Sequence, residues 1–119
     1  MRRRERNKDL TLNSNLQQLI SQDQYEYFLI DVRSDNEYRK GHIPTSVHVP
    51  YGRLGSYLPS DNLFSNIIVY GRSHLQSSRA ASILEDSGYF NVTGFGPFFR
   101  WKGPVSRVSL KSEQQKKSS

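Results

Sequence analysis

Apolar residues recur along this chain in short runs of two kinds. Tyr27-Phe28-Leu29-Ile30-Asp31-Val32 and Ile67-Ile68-Val69-Tyr70 are continuous and rich in β-branched and aromatic side chains, which predicts strands buried on both faces. Val47-His48-Val49, closed by Pro50, and Asn91-Val92-Thr93 predict two more short strands, and Leu10-Thr11-Leu12 an opening one. Between these runs the apolar positions fall at helical spacing. Leu16, Leu19 and Ile20 follow Asn13 or Ser14 as N-cap, and Ala80, Ile83 and Leu84 form one stripe of a helix over 77–87 that Gly88 stops. Shorter helical turns are predicted from Ser34 or Asp35 to Gly41, over 53–58 ahead of the Pro59-Ser60-Asp61-Asn62 turn, and over 98–102. Gln22 to Glu26 reads as a loop. Short strands alternating with helices predict an α/β fold, a parallel sheet covered on both faces, with no internal repeat.

The candidate site lies where the strand at 67–70 gives way to the helix at 77–87. The intervening turn, Gly71-Arg72-Ser73-His74-Leu75-Gln76, leads into Ser77. A turn from a strand end into a helix start aims several backbone N–H groups at one point, and the helix dipole adds partial positive charge there. In open α/β sheets ligands bind beyond the carboxyl ends of the strands, which is where this turn falls. The expectation is an anion cradle built from residues 71–77.

Charge changes the picture only at the ends. The chain has 119 residues and a formal charge of +6. Residues 1–8 hold five Lys/Arg and one Glu, residues 107–119 hold four and one, and residues 9–106 hold eight basic and nine acidic side chains. The foldable part is close to neutral, so a phosphate-gripping face is absent from it and nucleic acid binding is not expected. The resulting division is a basic flexible segment over 1–9, a domain over 10–104 and a flexible basic tail over 105–119. The chain contains no cysteine, hence no disulfide sign of secretion, and no apolar run long enough to span a membrane. MRRRERNK lacks the apolar stretch of a signal peptide, and Glu5 and Asp9 weigh against a transit peptide, so the expected location is cytoplasmic.

Three stretches together resemble rhodanese-like domains. Phe28 to Tyr51, FLIDVRSDNEYRKGHIPTSVHVPY, is similar to that family's strand ending in Asp-Val-Arg, followed by Glu-Tyr and Gly-His-Ile-Pro. Tyr70, Arg72, Ser73, Ser77, Arg79, Ala80 and Ala81 match its active-site segment, and Gly96 and Trp101 match a looser pattern near the end, where Pro97 replaces a second glycine. The resemblance covers about residues 10–104 and implies one three-layer α/β domain with a five-stranded, mainly parallel sheet. It implies sulfurtransferase ancestry, in which a cysteine thiolate held by loop N–H groups carries sulfur as a persulfide. Here the cysteine's place is taken by Gly71. Some relatives carry Tyr-Gly with Gln-Ser/Thr-Ser at the loop's end, as Gln76-Ser77-Ser78 does here. The implied role is a catalytically inactive module, not an enzyme, that binds a small anion or an acidic group of an unknown protein partner through residues 71–77. The alternatives are a scaffold without a ligand and a sulfurtransferase using an engineered or partner-supplied thiol.

Other polar residues have plainer readings. Asp31, Arg33, Glu37 and His42 are candidates for a structural ion-pair network. His42 and His48 lack clustered acids or thiols, so neither a metal nor a cofactor is expected. Trp101 with Phe95, Phe98 and Phe99 reads as core or pocket rim. The Asn91-Val92-Thr93 sequon falls in a predicted strand and is discounted. Ser73 and Ser77 neighbour His74, but nothing supplies the third group that orients a catalytic base, so serine chemistry is not expected.

Overall fold

A computed structural model describes residues 9–22 and 26–108, so the expectations for residues 1–8, 23–25 and 109–119 lie outside the described residues. Helix α1 spans Asn13–Gln22, β1 Tyr27–Asp31, α2 Asp35–Lys40, β2 Val47–His48, β3 Asn66–Gly71, α3 His74–Asp86 and β4 Asn91–Pro97. Single 3-10 turns run over Tyr51–Ser56 and Phe98–Arg100. The strands form one parallel sheet in the order β2-β1-β3-β4.

The side-chain alternation of β1 and β3 sorts the core into two layers. Ile30, Val32, Ile67 and Val69 point to one face and pack with Leu54, Ala80, Leu84 and Tyr89. Leu29, Ile68 and Tyr70 point to the other, against Leu16, Ile43, Phe95 and Trp101. All of residues 67–71 are buried, as a continuous apolar run in a doubly covered sheet requires.

Among the described residues the sheet has four strands, not the five expected. Leu10-Thr11-Leu12 is a turn instead: the Asp9 carboxylate accepts hydrogen bonds from the Thr11 amide and hydroxyl, and Leu12 N–H donates to Asp9 O at 3.2 Å. An Asp side chain that satisfies nearby backbone donors competes with a strand ladder, and here it wins. The expected N-cap at Asn13 also differs. Asn13 is the first helical residue, and its Oδ1 accepts from Lys102 N–H at 2.7 Å, tying α1 to the end of the domain.

Part of the segment expected to be a flexible tail from 105 is held to the domain. His42 and Ser106 exchange backbone hydrogen bonds of 2.9 Å in each direction, and Val108 N–H donates to Arg39 O at 3.0 Å. Backbone pairing needs no apolar side chains, which is why composition did not reveal it. Gly41 permits the approach, since a Cβ there would stand 3.0 Å from Val105 Cγ1.

Asp31 closes β1 as a fully buried carboxylate. Its Oδ1 accepts from Arg33 N at 2.8 Å, Arg33 Nε lies 3.1 Å from both oxygens, and Oδ2 accepts from Arg33 Nη2 at 2.8 Å. The guanidinium also donates to Gly41 O and lies 4.1 Å from the centre of the Phe98 ring. Burial works against the charge of Arg33, but hydrogen bonding to Asp31 and its negative charge outweigh this and raise its pKa. Removing one partner of such a pair strands the other in a dry interior. Arg33→Leu is therefore expected to lower unfolding free energy by about 3 kcal/mol, read as a fall in urea midpoint at unchanged slope.

Candidate functional site

The turn after β3 is shorter than the sequence pattern suggests. Gly71 is still strand, Arg72 and Ser73 make the bend, and α3 begins at His74 rather than Ser77. Ser73 is the N-cap, its hydroxyl accepting from Gln76 N–H at 3.1 Å. The Gln76 side chain reaches back so that its Oε1 accepts from Arg72 N–H at 2.9 Å. This is a capping box shifted outward by one residue, and its signature, Ser73-x-x-Gln76, was legible in the sequence.

That cap changes what the site can hold. The glycine at 71 leaves the centre of the cradle without a side chain of its own, and Gln76 fills it. A Cβ built on Gly71 would stand 2.7 Å from Gln76 Oε1, 3.1 Å from its Cβ and 3.2 Å from its Cγ. The N–H groups of Arg72, Gln76 and Ser77 are likewise engaged, by Gln76 Oε1, Ser73 Oγ and Ser73 O respectively. Those of Ser73, His74 and Leu75 have no acceptor among the described residues, and His74 and Leu75 are exposed. The cradle that remains is the first turn of α3, with the exposed Arg72 at its rim.

Ser77 is a correction to the expected ligand set. It is buried, donating through Oγ to Val69 O at 3.2 Å and accepting there from Gly96 N–H at 2.9 Å. Both bonds are structural, and among the described residues no hydrogen bond joins its hydroxyl to His74. The His74 ring instead lies over Gly96, whose Cβ, were there one, would stand 3.2 Å from His74 Cε1. An open groove of about 270 Å³ runs from His74 between α3 and β4, past Ser78, Ser82, Val92 and Gly94 to Glu85.

The second cluster is a scaffold. Of Asp31, Arg33, Glu37 and His42, only the first two form an ion pair. Glu37 forms a capping box with Ser34, its carboxylate accepting from Ser34 N–H at 3.1 Å and from Ser34 Oγ at 2.9 Å. His42 donates from Nδ1 to Tyr38 O at 2.7 Å, a direction fixed because a carbonyl only accepts. The Tyr38 ring is stacked between His42 and His48, at centroid distances of 3.8 and 4.7 Å. Tyr70 is fully buried, accepting at its hydroxyl from Ile43 N–H at 3.0 Å. Burial, reinforced by the charge of Asp31, raises its pKa far beyond the ordinary phenol range. No group of three or more His, Cys, Asp or Glu that could hold a metal occurs among the described residues. Nor is any described helix long and apolar enough to cross a membrane.

Comparison with known proteins bears on the fold. The profile of the rhodanese-like domain matches residues 12–95. A mitochondrial protein of Schizosaccharomyces pombe, named provisionally as a thiosulfate sulfurtransferase, is 33% identical over 65% of this chain and 64% of its own length. YtwF of Bacillus subtilis, named provisionally as a sulfurtransferase, is 30% identical over 66% of this chain and 76% of its own. This chain thus spans less than two thirds of the first relative. Among solved structures, the Alr3790 protein of Anabaena sp. superposes with a TM-score of 0.75 at 24% identity, covering 89% of each chain. A rhodanese with anions from E. coli superposes with a TM-score of 0.62 at 23% identity, covering 69% of this chain and 99% of the other.

Two outcomes test the site. Gly71→Ala is expected to cost about 1–3 kcal/mol by overpacking against Gln76. In a Gln76→Ala background the contacts to Oε1 and Cγ are gone and only the 3.1 Å contact to Cβ remains, so the same change should cost clearly less, Gly71 having no positive φ to lose. A double-mutant cycle by chemical denaturation reads that coupling. The second outcome concerns pH. Burial favours the neutral form of Glu37, but its hydrogen bonds from Ser34 and the charge of Arg33 outweigh this and lower its pKa. A lowered native pKa gives stability that is present above the unfolded value, about 4.3, and lost as pH falls through the native one. The advantage of the parent over Glu37→Gln should therefore be full near neutrality and be lost on acidification, as pH falls from the unfolded carboxylate value through the lower native one.

Proposed function

Since this chain belongs to the rhodanese-like domain family, we propose that it is a module that has given up sulfur transfer and binds a small anion, or an acidic group of a protein partner, at the head of α3. The observation that carries this reading is the pairing of Gly71 with Gln76. No thiol exists to attack sulfur, and the volume a nucleophilic side chain would enter holds the Gln76 carboxamide. A hydroxyl cannot stand in, because it neither forms a persulfide nor ionises near neutral pH.

What favours binding is independent of the lost side chain. Three N–H groups, those of Ser73, His74 and Leu75, open outward at the positive end of a 13-residue helix, with Arg72 beside them. The related rhodanese solved with anions fits this reading. Water competes and salt screens at so exposed a site, so the expected affinity is about millimolar, 4 kcal/mol. A sulfurtransferase with a partner-supplied thiol is disfavoured, since that thiol would have to displace Gln76. The neutral domain gives nucleic acid no basic face, and the cytoplasm is the proposed setting for a chain without disulfides.

The purified chain is expected to show no cyanide-dependent turnover of thiosulfate above a protein-free blank. Turnover that survives repurification would overturn the inactive reading. Sulfate or phosphate titration followed by amide shifts should give saturating changes at residues 73–75. Flat shifts there at tens of millimolar anion, about tenfold above the expected Kd, would reduce the turn to a structural cap.

A further inference from the structure

Two aromatic rings lie in water at the amino end of the sheet, away from the turn that heads α3. Phe64, just ahead of β3, and Phe90, just ahead of β4, are 67% and 66% exposed. Their rings nonetheless stack, at a centroid distance of 5.0 Å and an interplanar angle of 17°. A lone exposed apolar side chain is ordinary, but contiguous apolar surface marks an interaction site. The pair is also held in place. Phe90 N–H donates to Leu63 O at 3.0 Å, Asn91 Nδ2 to Phe64 O at 2.7 Å, and Phe64 N–H to Asn62 Oδ1 at 2.9 Å. The exposed Leu63 continues the surface towards Gly88, where a Cβ would stand 3.7 Å from its Cδ1. A platform already fixed in shape loses little entropy when it is covered.

Charge decides what such a platform accepts. Residues 57–70 and 80–99 hold three carboxylates, Asp61, Glu85 and Asp86, and no Lys, Arg or His. All three are exposed, and no side chain among them has a hydrogen bond or ion pair among the described residues. Asp61 sits in the loop that carries Phe64. Glu85 and Asp86 close α3, and Gly88 N–H donates to Glu85 O at 2.9 Å where the chain turns towards Phe90. The helix dipole is negative at this end and favours cations, yet the last turn of α3 contains no basic residue. Three uncompensated negative groups repel an anionic lipid surface, and they repel a second copy of the same patch. They attract cations. A guanidinium suits both parts of the surface, stacking on phenyl rings while its N–H fork pairs with carboxylates.

We propose that Leu63, Phe64 and Phe90 form a docking platform for an apolar, arginine-bearing segment of a partner protein, whose cations pair with Asp61, Glu85 and Asp86. The platform lies at the far end of α3 from residues 71–77, about 20 Å away along a helix of 13 residues. It rests on the stacked rings and their charge, and stands whether or not the turn at 71–77 binds an anion.

Amide-shift titration of the full chain with a capped hexapeptide, acetyl-Arg-Leu-Arg-Arg-Leu-Arg-amide, tests it. Saturating shifts are expected at Leu63, Phe64, Phe90 and Asn91, with the amides of residues 73–75 unmoved. Lysine in place of arginine in the peptide should weaken binding about threefold or more, and glutamate should abolish it. Phe64→Ser with Phe90→Ser should weaken binding about tenfold or more. Both rings are mainly in water, so the fold is retained. Glu85→Gln with Asp86→Asn should weaken it about tenfold at low salt and flatten its salt dependence. These two changes relieve the helix end, so here too the fold is retained. Shifts that do not saturate or that fall elsewhere overturn the proposal, as does equal binding of the lysine peptide or indifference to either double variant. Shifts of the same amides on phosphatidylserine vesicles, or with protein concentration alone, would assign the rings to a membrane or a second copy and overturn it equally.

Discussion

The hydroxyl of Ser77 pins three elements together. It donates to Val69 O in β3, accepts from Gly96 N–H in β4 and sits one turn inside α3. A buried bond of this kind adds modest net stability, but losing it would leave a carbonyl and an amide unpaired in the core. Its larger effect is distance. It draws α3 down until Gly94 and Gly96 have no room for ordinary side chains, Gly96 besides lying at φ 109. The position of the helix start, the closeness of Gln76 to Gly71 and the groove along β4 all follow from that approach.

Against this fixed frame, the loss of a cysteine is a local rearrangement. A helix start needs its N–H groups satisfied, and a catalytic loop leaves them open for a ligand. Here the two demands are divided. Ser73 and Gln76 satisfy the inner amides from within the turn, and the outer three stay available. Gly71 and Gln76 are complementary in volume: the glycine admits the carboxamide, and the carboxamide closes the space left by the glycine. The turn thus keeps a helix N-terminus, capped from within by Ser73 and Gln76, with no thiol at position 71.

The carboxyl end of β1 shows how a motif that looks catalytic can be architectural. Asp31 and Arg33 satisfy one another almost completely, and Arg33 spends its remaining capacity on Gly41 O and the Phe98 ring. Tyr70, beneath them, anchors Ile43 through its hydroxyl, and Val49 N–H donates to Asp31 O at 2.9 Å. Residues 31–49 are thereby fastened to the carboxyl ends of β1 and β3, and no buried side-chain N or O among the described residues lacks a hydrogen-bond partner.

Much of this was legible in the chain because it rests on local period and local chemistry. The continuous runs at 27–32 and 67–70 can only be strands buried on both faces, and the spacing of Ala80, Ile83 and Leu84 only a helix stripe. That the chain supplies no thiol of its own is read directly from the absence of cysteine. Non-local contacts decided the rest. That Leu10–Leu12 turns instead of pairing depends on Asp9 reaching the Thr11 amide; that residues 105–108 are held depends on His42, more than sixty positions away. Ser77 changes from ligand to pin because Gly96, far along the chain, brings an amide to its hydroxyl. Sequence pattern states which residues prefer to be buried or helical, but which buried donor meets which acceptor is settled only when distant segments are packed against each other.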